Sequence, residues 1–113
     1  MMRYAILPAL LLAAPVAAHH GWSSYDESKP LTVKGRFSKV NWSNPHGTAE
    51  MTWNKQQWTI VLAPTQRMDA RGLTQAMIAP GQPVTLTGYA RRDGTREMRI
   101  ERIAAGGKTI ELR

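Results

Sequence analysis

The three histidines are the residues of this chain best suited to bind a metal ion. His19 and His20 form a pair near the start, and His46 lies within Asn44-Pro45-His46-Gly47. Nitrogen ligands in a tetragonal arrangement favour Cu(II) among the divalent metals. We therefore predict a metal site formed by His19, His20 and His46, with copper as the preferred ion. The alternative is that the pair begins a flexible arm and that His46 makes a local hydrogen bond in its turn.

The first 18 residues have the features of a cleavable secretory signal peptide. Arg3 supplies a positive start, an apolar run follows from residue 4 to residue 16, and small residues precede His19. The run is shorter than the roughly 20 apolar residues that span a bilayer core. We therefore expect a periplasmic protein without a membrane span once residues 1–18 are removed.

Signal cleavage would also create metal ligands. Cleavage after Ala18 makes His19 the first residue, so that its α-amine and its imidazole chelate one ion. Cleavage after Ala17 puts His20 at the third position, where the amine, two deprotonated amides and the imidazole surround Cu(II) or Ni(II) in a plane. Both cleavage sites predict a copper-binding terminus.

Three tryptophans form a second candidate site. Trp42, Trp53 and Trp58 fall on neighbouring predicted strands close to basic side chains. Aromatic residues on the face of a small barrel bind bases or sugar rings by stacking. The alternative is that they fill the core, because the chain has only one Phe, and we expect this of at least two of them. Trp22 is expected to pack the arm against the barrel.

Composition excludes several classes of function. The chain has no Cys, and it has none of the motifs of hydrolases or phosphate-binding enzymes. We therefore expect a protein that is not an enzyme. Glu97 and Glu101 alternate with arginines in the last predicted hairpin, which indicates cross-strand pairing on a solvated face.

The charge of the chain suggests a second class of function. Its formal net charge of +7 favours anionic partners. The alternative to metal binding is thus an interaction module whose basic face docks on an envelope protein or an anionic surface. We do not expect nucleic acid as a partner after export, and the sequence leaves the oligomeric state open.

The hydrophobic pattern predicts an all-β domain. Alternation begins at Leu31 and changes phase near Ser38-Lys39, which indicates a β-bulge. Asn54-Lys55 and Asp93-Gly94 are hairpin turns, and the one helical stretch, 64–77, is interrupted by Gly72. Three strands, a short helix and two or three further strands predict a small closed or partly open barrel of the OB type. We divide the chain into a signal peptide (1–18), an extended arm (19–30) and a barrel domain (31–113).

The chain resembles a family of small exported bacterial proteins of unknown function. The resemblance rests on the run from His19 to Asp26, on Asn44-Pro45-His46, on Trp58, on Pro80-Gly81 and on the spacing from Gly88 to Asp93-Gly94. It covers nearly all of the mature chain. It implies a periplasmic β-barrel and draws attention to the three histidines, but it implies no reaction.

Overall fold

The computed structural model of the protein describes residues 21–113, in which seven β-strands form one curled sheet. The strands are β1 (Leu31–Arg36), β2 (Lys39–Asn41), β3 (Thr48–Trp53), β4 (Gln56–Val61), β5 (Pro83–Ala90), β6 (Glu97–Ala105) and β7 (Lys108–Glu111). Three short helices accompany them: a 3-10 helix at Trp22–Ser24, the α-helix α1 at Thr65–Ala70 and a second 3-10 helix at Gln75–Ile78. No helix of this described part is long and apolar enough to cross a bilayer.

The break between β1 and β2 bends the first strand and allows the sheet to curl. Phe37 is buried, Ser38 and Lys39 are both exposed, and Val40 turns inward again. One extra residue is thus inserted, and the backbone amide of Ser38 donates to the carbonyl of Glu50 at 2.8 Å. These two observations confirm the predicted bulge. An inserted residue sharpens the local twist of a strand, and this bend allows the sheet to curl.

The strand order is that of an OB-like barrel. The sheet runs β1-β5-β6-β4-β3-β2, with β4 and β6 parallel and the other neighbours antiparallel. β1 and β2 are the two ends of this order, where β1 pairs with β5 and β2 pairs with β3. Because β1 and β2 are two halves of one bent strand, the two ends of the sheet lie next to each other. The predicted all-β, OB-like fold with a helix before the fourth long strand is confirmed.

The core lies inside the curled sheet and is closed by the helical segment. Alternate residues of the strands point inward, and the helical segment adds Met68 from α1, Ile78 from the second 3-10 helix and Leu73 from between them. Gly72, at a φ of +91°, ends α1, so the predicted helical stretch consists of two short pieces. The inward residues include Val33, Phe37, Met51, Ile60, Leu62, Leu86, Met98, Ile100 and Ile103.

Candidate functional site

The structure describes one of the three predicted histidine ligands. His46 is half-buried in the loop between β2 and β3, whereas His19 and His20 lie outside the described residues. The loop is held next to the sheet because Gly47 accepts from the amide of Leu62 at 2.8 Å and donates to the carbonyl of Ala63 at 2.9 Å. The backbone therefore fixes the position of His46 relative to β3 and β4.

His46 lines a cleft with a volume of about 290 Å³. The cleft is formed by four parts of the chain that are distant in sequence: the N-terminal arm, the His46 loop, the strand pair β3–β4, and the facing ends of β5 and β6. Its walls are formed by Tyr25, Pro45, His46, Thr48, Val61, Arg91, Glu97 and Arg99. It thus combines an imidazole, a phenol, a carboxylate and two guanidinium groups.

The cleft lies on the outer face of the sheet. Thr48 is paired with Val61, and Val61 with Arg99, across β3, β4 and β6. Their neighbours Ala49 and Ile60 point into the core, so these side chains point outward by the alternation of strands. OB-folds bind their ligands on this face and with the two loops that flank it, which here are the His46 loop and the β5–β6 connection.

The N-terminal arm forms one wall of the cleft and is docked on the barrel by backbone hydrogen bonds. Tyr25 forms an isolated β-bridge with Arg91. The amide of Asp26 donates to the carbonyl of Ala90 at 2.8 Å, and the amide of Arg92 donates to the carbonyl of Ser24 at 3.0 Å. These bonds extend the sheet, and they place Tyr25 in the cleft with only 3 % of its surface exposed.

Trp22 holds the arm from its other side. The guanidinium groups of Arg99 and Arg113 each lie 4.2 Å from the centre of a Trp22 ring. Tyr89 contacts Trp22 edge-on at 6.2 Å. The predicted role of Trp22 in packing the arm on the barrel is confirmed by these contacts, and the C-terminal residue Arg113 takes part in them.

Tyr25 and Glu97 form the polar centre of the cleft. The Tyr25 hydroxyl donates to Glu97 Oε2 at 2.5 Å, and Arg91 Nη1 lies 3.5 Å from the same oxygen. Burial, followed by the hydrogen bond to Glu97, raises the pKa of Tyr25 to about 12. Tyr25 is therefore a neutral hydrogen-bond donor at neutral pH and not an anionic metal ligand.

Arg99 corrects the prediction that the arginines of the last hairpin lie on a solvated face. Only 7 % of its surface is exposed, because the docked arm covers this side of β6. Burial lowers the pKa of Arg99, and the nearby charges of Arg67 and Arg113 lower it further while Tyr25 raises it. Arg99 thus places a buried positive charge in the wall of the cleft.

The three predicted tryptophans do not meet at one place. The rings of Trp53 and Trp58 pack at 5.2 Å, at the end of the β3–β4 hairpin. Trp42 follows β2 near the other end of β3, roughly 20 Å away at the rise of an extended strand. All three are half-buried against the core, as expected for at least two of them, and ligand binding by them stays a prediction.

The described residues alone contain only part of the predicted metal site. Within residues 21–113, no three His, Cys, Asp or Glu side chains are grouped so that they could hold an ion. His46 and Glu97 supply one nitrogen ligand and one carboxylate to the cleft. The predicted partners of His46 are His19 and His20, just before the first described residue.

The sequence does not indicate the four other ionisable residues of the cleft as site residues: Tyr25, Arg91, Glu97 and Arg99. Tyr25 and Glu97 are 72 positions apart, and no local pattern indicates such a contact. The one available signal is Tyr25 itself, which with Trp22 is one of two large aromatic residues in an otherwise polar arm.

Comparison with known proteins gives a family but no activity. No curated protein matches the chain. The family model described as "Family of unknown function (DUF6152)" matches residues 9–99, which is most of the chain and includes every residue of the cleft. The chain belongs to the DUF6152 family of unknown function.

Proposed function

We propose that this protein is an exported, non-enzymatic binding protein of the periplasm whose mature N terminus and His46 together bind copper. Export is supported by the signal-peptide pattern of residues 1–18. The ligands are the His19 α-amine and the imidazoles of His19, His20 and His46. The resemblance to small exported proteins with the same His-His-Gly start supports the same localisation.

The observation that carries the proposal is that the docked arm and His46 line one cleft. Tyr25 is six positions after His19 and lies in the wall of the cleft with His46. Just before Tyr25, the amide of Ser24 donates to the carbonyl of Gly21 at 3.4 Å, which keeps this segment of the arm compact. Two residues beyond Gly21 span about 7 Å at most, so a mature N terminus at His19 would lie within that distance of the docked arm.

The chemistry of these ligands favours copper. A terminal amine and imidazoles form a nitrogen-only set, which Cu(II) prefers over the other divalent first-row metals. The ligands must be deprotonated, so affinity should decrease as pH falls below the amine pKa near 8 and again through the imidazole range near 6.5. Signal cleavage creates the amine, so the site forms only after export.

An exposed basic strip supports a second candidate function. Lys34, Arg36 and Lys39 are exposed on the outer face of β1 and β2, outside the cleft. Such a strip suits docking on an anionic envelope surface. Binding to vesicles that contain anionic lipid, lost on replacing the three residues by Gln, would support this function.

Copper titration tests the leading proposal. Authentic mature protein starting at His19 should bind one Cu(II), and a form with an added N-terminal Met should bind much more weakly while keeping the same circular dichroism spectrum. Equal binding by the two forms would exclude the terminal amine. An intact mass that includes Met1 in periplasmic material would contradict both processing and the site.

A further inference from the structure

We propose that the cleft binds a small oxyanion, a carboxylate or a phosphate, through the guanidinium group of Arg99, with Arg91 and His46 as supporting groups. The proposal goes beyond copper binding and does not depend on it. It rests on the charge, the burial and the size of the cleft.

The charged groups in the cleft wall give it a positive potential. Arg91 and Arg99 contribute two permanent positive charges, and Glu97 is the one carboxylate in the wall. Glu97 already accepts from the Tyr25 hydroxyl at 2.5 Å and lies 3.5 Å from Arg91. Arg91 also pairs with Asp93 outside the cleft at 3.1 Å, whereas the guanidinium of Arg99 lies against the ring of Trp22.

The surroundings of Arg99 favour an anion. The side chain is 7 % exposed, and its guanidinium stacks on Trp22 together with that of Arg113. Arg67 adds further repulsion, and like the burial of the group it lowers the pKa of Arg99. An anion in the cleft would reduce this repulsion, and the low dielectric of a buried site strengthens the attraction.

The shape and chemistry of the wall restrict the ligand to a small one. The volume of about 290 Å³ is at the lower end of the range for ligand pockets. A planar guanidinium binds carboxylate and phosphate oxygens in pairs. The Thr48 hydroxyl adds a donor, while Pro45 and Val61 supply apolar surface. The same anion would offset the repulsion between these arginines and a bound Cu(II).

The experiment uses metal-free mature protein in chloride buffer, with inorganic phosphate and malonate as separate probes. We expect saturable shifts of the Thr48 and Val61 amide signals in NMR titrations with at least one probe. Arg99→Gln should weaken binding about tenfold or more, the usual effect of losing a charge-assisted hydrogen bond. Lys55→Gln, which removes one exposed charge outside the cleft and outside the basic strip, should change the affinity less than twofold. Response to phosphate alone indicates a phosphorylated ligand, and response to malonate indicates a carboxylate.

Two further measurements keep the proposal testable if Arg99→Gln does not fold. Arg99→Lys keeps the charge but not the planar pair of donors, and it should bind each probe more weakly than the unchanged protein. In the unchanged protein, a bound probe should protect His46 from diethyl pyrocarbonate, as mapped by peptide mass spectrometry. The absence of saturable shifts and of protection with both probes would overturn the proposal, as would equal loss of affinity in Lys55→Gln. Since no copper is present, failure here leaves the copper proposal standing, and failure of copper binding leaves this one standing.

Discussion

Gly88 lies where the register between the antiparallel strands β5 and β6 shifts, and the backbone of β6 comes so close there that no side chain fits. A Cβ atom there would be 2.3 Å from the carbonyl oxygen of Arg99 and 2.7 Å from the Cα of Ile100. Both are backbone atoms, so Gly88→Ala should destabilise the fold by about 1–3 kcal/mol or more. At Gly35 a Cβ would meet the flexible end of Met51 at 2.7 Å, and Gly35→Ala should cost less. Urea denaturation measures both, and equal losses would contradict the close approach of the β6 backbone to Gly88.

Tyr25 should make the stability of the protein dependent on pH in the alkaline range. Its pKa is about 12 in the folded protein and near 10 when unfolded. Between these values the folded state holds the proton more strongly, so this contribution is complete below about pH 10 and is lost as pH rises to about 12. Tyr25→Phe should remove this part of the decline in the free energy of unfolding. An unchanged pH profile in the variant would contradict the raised pKa that burial and the hydrogen bond to Glu97 give Tyr25.

At the scale of elements, the docked arm is held by backbone hydrogen bonds to the barrel, by the buried Tyr25 and by Trp22. Stacking of a guanidinium on Trp contributes about 0.5–2 kcal/mol, and Trp22 stacks with two. Trp22→Ala should therefore increase hydrogen exchange at the amides of Asp26 and Arg92, which join arm and barrel. The amides that pair β5 with β6 around Leu86 and Ile103 serve as an internal control. Equal protection of the joining amides in variant and parent would show that Trp22 does not hold the arm.

The strands and turns could be predicted from the sequence because their signals are local. Alternation marks each long strand, the change of phase marks the bulge at Ser38, and Asn54-Lys55 takes the positive φ values of 52° and 62° that a tight hairpin needs. The docking of the arm could not be predicted in the same way. It depends on a bridge between Tyr25 and Arg91, two residues that become neighbours only when the barrel has formed.

At the scale of the whole molecule, the cleft exists because barrel closure brings the arm, the His46 loop and the start of β6 together. His46 could be predicted as a site residue from its type, since imidazole is rare in this chain. Arg99 could not, because an arginine in an alternating charged hairpin normally faces water, and its burial comes from the arm that covers it. The division into residues 1–18, 19–30 and 31–113 stays a prediction.

The copper site itself is the central proposal, and the coordination of the ion tests it most directly. Pulsed electron paramagnetic resonance detects the remote nitrogen of each imidazole bound to Cu(II). Authentic mature protein loaded with one equivalent should show imidazole from the N terminus and from His46. His46→Ala should lose one bound imidazole, while Lys34→Gln, an exposed change outside the cleft, should leave the spectrum unchanged. A spectrum of His46→Ala identical to that of the parent would contradict a site shared between the N terminus and the cleft.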